Sequence, residues 1–203
     1  MGLKLNLKLV KGPIHSLEKA KSKIPVNQSI GGIAAGTAFT GVLAESSSLL
    51  TSAPILVMAG KAKDGITFIG EIDEYPLVGQ FTTVRFEEND ELIAVINDSP
   101  VDGRYQVYAI VDPKSGLLYM IYEMGRSVKK GFINYFAYRK SYENFGNLSE
   151  QIFEKLGFEN PKEQDFYNDY LINDGINISV MDYRKNLKGK DPYPEDYFDK
   201  KNF

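Results

Sequence analysis

The sequence predicts a mainly β protein of the α+β class, a small antiparallel barrel or strongly curled sheet with flanking helices. Two observations carry this. From Gly65 to Ile96, and again over Gly103–Val111 and Leu117–Glu123, apolar and polar residues alternate, as in strands with one buried face. The intervening turns are short and rich in turn formers: Glu88-Asn89-Asp90, Pro100-Val101-Asp102-Gly103 and Asp112-Pro113-Lys114-Ser115-Gly116. Strands this close pair as an antiparallel meander, and five or six of them curl into a barrel.

The elements follow in order. Leu3, Leu5, Leu7 and Leu9 alternate with Lys4, Asn6 and Lys8, so Leu3–Val10 reads as a strand. Its leucine face needs the meander's sheet to bury it. Gly12-Pro13 is expected to end that strand. Ser16–Lys23 then reads as a short helix with Ser16 as its N-cap.

From Ser29 to Gly60 the only charged residue is Glu45. A membrane helix wants ~20 consecutive apolar residues, which neither half supplies. A helical hairpin packed on Gly32 and Gly36 is a second reading. The favoured one is a helix over Ser29–Glu45 followed by a buried strand or extended segment, Ile55–Ala59, begun by Pro54.

After the meander, Gly125–Gly146 interleaves Lys and Arg with Phe and Tyr. That pattern suits a polar helix with one aromatic face, and it also suits RNA or lipid headgroups. Leu148–Leu156 is an amphipathic helix with Leu148, Ile152, Phe153 and Leu156 on one stripe and Gly157 as its stop. Asn160-Pro161 reads as the start of another short helix, and Asn173–Tyr183 as a hairpin or extended stretch. The charged, proline-bearing end, Lys188–Phe203, reads as loosely held. Residues 1–125 thus form a strand-rich barrel-like unit with an inserted small-residue-rich segment, and 126–203 a helical and extended region packed on it.

At 203 residues the chain can bury one substantial core. A formal net charge of −3 argues against nucleic-acid binding by the whole chain. Lysines cluster early (Lys4, Lys8, Lys11, Lys19, Lys21 and Lys23), as suits a solvated strand and helix face or an anionic lipid surface. The absence of cysteine removes thiol nucleophiles, disulfides and thiolate metal sites. Met1–Val10 alternates and so does not read as a signal peptide.

Catalytic candidates are few. His15 is the single histidine, so any Ser-His or two-histidine metal arrangement would depend on it. It follows Gly12-Pro13 and reads as exposed at a turn. No phosphate loop, nucleophile elbow or dinucleotide fingerprint occurs. Glu71, Asp73 and Glu74 include a carboxylate pair of the kind glycosidases use, but beside Tyr75-Pro76, which reads as a turn, they are expected to be solvated. Glu87–Asp90 lacks the spaced ligands of a calcium loop. The expectation is no enzyme, no catalytic residue, no metal and no cofactor.

Four stretches together resemble one family: LVKGPIHSLEKAKSK, FIGEIDEYPLVGQFTTVRFEENDELIAVI, DGRYQVYAIVDPKSGLLYMIYEMGRS and LSEQIFEKLGFENP. The chain resembles bacterial proteins described as candidate type VI secretion system effectors, over most of residues 9–160. The resemblance implies a pair of membrane spans after the strand-rich part, near Ala137–Tyr142. In this chain FINYFAYRK passes directly into SYENFGNLSEQIF, so either this member lacks the spans or they have been removed. The basic and aromatic residues at that junction suit the flanks of a span. The expectation is an inner-membrane-associated product of the intact gene, and a soluble protein for the chain without spans.

What the resemblance implies about function is a role in interbacterial competition. With no catalytic constellation, the first reading is an immunity protein that binds and neutralises a cognate toxin. A secreted effector acting on membranes, or a structural component of the secretion machine, is the alternative. The expected partner is a protein rather than a nucleic acid. The expected contact surface is the tyrosine-rich C-terminal half: Tyr135, Tyr138, Tyr142, Tyr167, Tyr170, Tyr183, Tyr193 and Tyr197. Tyrosine offers large rigid contact area with a polar tip.

Overall fold

The computed structural model describes residues 5–25, 62–115, 117–121, 124–125, 127, 147–158, 160–164 and 180–182. Seven strands and one helix lie within them: β1 (Leu7–Pro25), β2 (Ala62–Ile72), β3 (Tyr75–Phe81), β4 (Glu91–Asn97), β5 (Tyr105–Asp112), β6 (Leu117–Met120), α1 (Asn147–Lys155) and β7 (Val180–Asp182). Five strands close a barrel. Their order is β3-β2-β1-β4-β5, and β5 returns to β3 in parallel through Leu77 opposite Tyr105 and Val78 opposite Gln106. All the other ladders are antiparallel. This is the connectivity of the OB-type Greek-key barrel, an architecture that removes most free strand edges. β6 and β7 continue the sheet beyond β5. The expected barrel with a flanking helix is therefore present.

The leading strand is longer than its sequence suggested. Leu7–Pro13 pairs with β4, and from Ile14 onward the strand turns to pair with β2 as far as Pro25. Gly12-Pro13 does not end β1; it marks the corner where the strand changes partners. Gly12 takes φ +151°, and Pro13 sits at the last position of the β4 ladder, where a missing donor costs least. An irregularity follows between His15 and Glu18, with Ser16 at φ +52°.

The helix expected over Ser16–Lys23 is not formed. Those residues run as strand against Phe68, Thr67, Ile66 and Gly65 of β2. Leu, Glu, Ala and Lys are good helix formers, but propensity differences amount to only tenths of a kcal/mol per residue, and the β2 ladder overrides them. The turn expected at Tyr75-Pro76 is also displaced. Asp73 and Glu74 make it, with Asp73 at φ +52°, while Tyr75 and Pro76 open β3. The helix expected over Ser29–Glu45 and the strand at Ile55–Ala59 lie outside the described residues.

One apolar core fills the barrel. Ile14, Phe68, Ile72, Leu77, Phe81, Phe86, Leu92 and Tyr119 have no exposed surface. The rings interlock: Phe86 stands edge-on to Phe68 at 5.3 Å and to Tyr119 at 5.3 Å, with Phe81 tilted against both Phe68 and Tyr119. Leu92–Ile96 and Val107–Val111 are buried at every position, so β4 and β5 are covered on both faces.

The C-terminal helix forms as its pattern requires. Leu148, Ile152 and Phe153 of α1, with Leu156 beyond it, join the core cluster, each burial contributing roughly 1.5–3 kcal/mol. Gly157 at φ +82° then ends it. The Gly157 amide donates to the Glu154 carbonyl at 3.1 Å and the Phe158 amide to the Phe153 carbonyl at 3.0 Å. That pair is a Schellman motif, and the Phe153 and Phe158 rings supply its hydrophobic contact at 5.1 Å. Asn160–Glu163 makes a single turn rather than opening a helix within the described residues. Val180–Asp182, read as hairpin or extended, pairs with β6.

Candidate functional site

A cleft of about 440 Å³ opens on the barrel wall between β1, β2, the start of β3 and the β4–β5 turn. Ser16 and Glu18 line it from β1, Ile69, Gly70 and Glu71 from β2, Pro76 from β3, and Asp102, Gly103 and Arg104 from the turn. Two features fix its position, one of them through contacts between distant parts of the chain.

The first is the β1 irregularity. Glu88, in the β3–β4 connection, accepts the Ser16 amide at 3.0 Å and the Leu17 amide at 2.7 Å, one on each carboxylate oxygen. The same connection grips β1 through its backbone. The Ile14 amide donates to the Asp90 carbonyl, and the Asn89 amide to the Ile14 carbonyl. Lys19 donates to the Phe86 carbonyl and pairs with Glu87 at 3.0 Å. These bonds hold Ser16 in a left-handed conformation that serine does not favour alone.

The second is the β4–β5 turn. Val101 and Arg104 exchange backbone hydrogen bonds of 2.8 and 3.1 Å around Asp102 at φ +50° and Gly103 at φ +78°. Two left-handed residues in sequence define a type I′ turn, for which Asp-Gly is a favoured pair. The Asn97 side chain pins the base of the loop by accepting the Gln106 amide at 2.7 Å.

Electrostatically the cleft is mixed, with an acidic excess. Glu18, Glu71 and Asp102 are exposed, and Arg104 is half-buried. Among the described residues none of these four makes an ion pair. Ile69 and Pro76 supply apolar surface between them. Such a lining suits recognition of a group with an apolar body and a charged head.

A second cluster lies at the end of the barrel. Tyr75 and Tyr105 meet edge to face at 5.3 Å, and the Lys8 ammonium stands 4.4 Å from the Tyr75 ring centre and 5.3 Å from that of Tyr105. Both rings pack on the core, so this cluster closes the barrel end with a cation–π contact.

His15 is exposed, as expected, but it lies on β1 opposite Glu71 rather than at a turn, with Nδ1 4.0 Å from Glu88 Oε1. Glu71 lines the cleft, while Asp73 and Glu74 are exposed in the β2–β3 turn. Among the described residues no group of three or more His, Asp and Glu side chains is placed to hold a metal ion. No described helix is long and apolar enough to cross a membrane. The tyrosines expected to form the contact surface, Tyr135, Tyr138, Tyr142, Tyr167, Tyr170, Tyr183, Tyr193 and Tyr197, all lie outside the described residues.

The sequence reading missed most of the cleft. Reading Ser16 and Glu18 as helical hid their place on a barrel strand, and nothing local marks Ile69, Pro76 or Arg104. The Asp102-Gly103 turn was legible, but its approach to β2 was not. In comparisons with known proteins, no family model, curated protein or solved structure matches this chain.

Proposed function

We propose that this protein is a binding protein of interbacterial competition, an immunity protein that neutralises a partner toxin by occupying it. One observation supports the reading best. A closed barrel with a side-chain-filled interior presents a cleft assembled from three separate chain segments, two of them fixed in left-handed backbone conformations. A rigid scaffold carrying a preformed, loop-edged cleft is suited to recognition, because little ordering remains to be done on binding. The competition context comes from the sequence resemblance alone, as does the inner-membrane association proposed for the intact gene product. Fractionation of that product tests the membrane part.

The decisive experiment deletes the gene in a strain exposed to its sibling cells. Sensitivity of the mutant, reversed by supplying the gene, supports the immunity reading. A mutant that stays resistant but no longer kills a rival overturns it in favour of an effector.

A further inference from the structure

We propose that the cleft between the β1 irregularity and the Asp102–Gly103 turn accepts an arginine or lysine side chain from the protein partner. This rests on the binding-protein reading and names the chemistry of the group recognised. Three carboxylates, Glu18, Glu71 and Asp102, reach the cleft from three different elements against one guanidinium, Arg104, leaving a formal excess of two negative charges. The four charges share one cleft, yet among the described residues they make no ion pair. Ile69 and Pro76 lie in the same lining.

A basic side chain matches that surface in both its parts. Its aliphatic stem covers Ile69 and Pro76, while its head meets the carboxylates in charge-assisted hydrogen bonds. Arg104 favours a polypeptide over a bare cation, because its donors suit the backbone carbonyls beside the incoming side chain. A phosphate backbone would face the carboxylates and be repelled. A volume of about 440 Å³ admits one long side chain with part of its backbone. Both rims are already fixed, one by Glu88 on the Ser16 and Leu17 amides and the other by the doubly bonded turn.

The test titrates the ¹⁵N-labelled full chain with a capped peptide bearing three glycine-spaced arginines, followed by amide chemical shifts. A matched glutamate peptide is the control. Saturable shifts at Gly70, Glu71, Gly103 and Arg104, reduced by salt and absent with the glutamate peptide, support the inference. The E71Q/D102N variant is expected to bind at least ~10-fold more weakly, with its other amide shifts unchanged. Both residues are exposed, and asparagine suits the left-handed turn position as well as aspartate does, so neither change should disturb the fold; E18Q gives an independent check from β1. Shifts elsewhere, shifts indifferent to both variants, or preference for the glutamate peptide overturn the inference. A sensitive deletion strain with no shifts at the cleft overturns this inference alone. Cleft shifts with a resistant deletion strain support it and overturn the immunity reading.

Discussion

Gly79 is where the barrel core leaves least room, and replacing it with alanine tests the packing directly. A Cβ built there would lie 2.3 Å from Phe68 Cζ, 2.4 Å from Cε1 and 3.2 Å from Val107 Cβ. Comfortable carbon contacts need roughly 3.5–4.0 Å, so the ring or the strand must move by about an ångström. The ring has nowhere to go. Phe68 has no exposed surface and is held by Phe81 at 5.4 Å and Phe86 at 5.3 Å. Overpacking of this kind costs about 1–3 kcal/mol, and the overlap places Gly79→Ala at the upper end. Removing a strand glycine returns about 0.5–1 kcal/mol. The net expectation is about 2 kcal/mol of destabilisation, or a Tm lowered by roughly 4–8 °C for a chain of this size.

Phe68→Leu alone should cost about 1–1.5 kcal/mol, because it removes ring carbons from a filled core. In the double variant the Cζ and Cε1 atoms that obstruct the new methyl group on β3 are gone. The two losses should therefore not add: the pair should be about 1 kcal/mol more stable than their sum. Urea unfolding followed by circular dichroism measures all three variants, with an unchanged m-value confirming that only stability has moved. A neutral or stabilising Gly79→Ala, or strictly additive losses, would refute the placement of Phe68 over Gly79.

Three further outcomes follow from the charged and buried groups. Burial opposes ionisation of Asp90, but the Glu87 amide, Lys114 and Lys19 outweigh it and hold its pKa below the ordinary 3.8. Its stabilising contribution is therefore complete above about 4 and is lost as pH falls through the lower folded value, so D90N should narrow its stability deficit against the parent in acid denaturation. Burial pushes the Tyr108 hydroxyl up to about 12. Its folded state should lose stability as pH rises from about 10 to about 12, and Y108F should remove that part of the alkaline loss, read by denaturant unfolding at stepped pH. Glu88→Ala should cost about 1–2 kcal/mol by releasing the Ser16 and Leu17 amides, which should then exchange with deuterium faster while the amides of β4 keep their protection.

Period-two alternation and turn chemistry made β2, β5, the Asp102-Gly103 turn and the α1 stripe legible in the sequence, because each depends on neighbours a few residues away. Gly157 belongs with them, since a Schellman stop is written into the helix end itself. The course of β1 was not legible. Gly12-Pro13 looks locally like a strand terminus, and Ser16–Lys23 like a helix. Only the β2 ladder, formed by residues more than forty positions away, makes that segment a strand, with the corner at Pro13 left over where it changes partners. Leu92–Ile96 read as part of a half-buried meander; closure of the barrel on one side and cover on the other decided that both faces are buried. The cleft belongs wholly to the tertiary level. Glu18, Glu71 and Asp102 are ordinary surface carboxylates in sequence, and the β1 turn toward β2 and the β4–β5 turn are what bring them to one site. Local periodicity fixes which residues face inward, but long-range pairing fixes which outward-facing residues become neighbours.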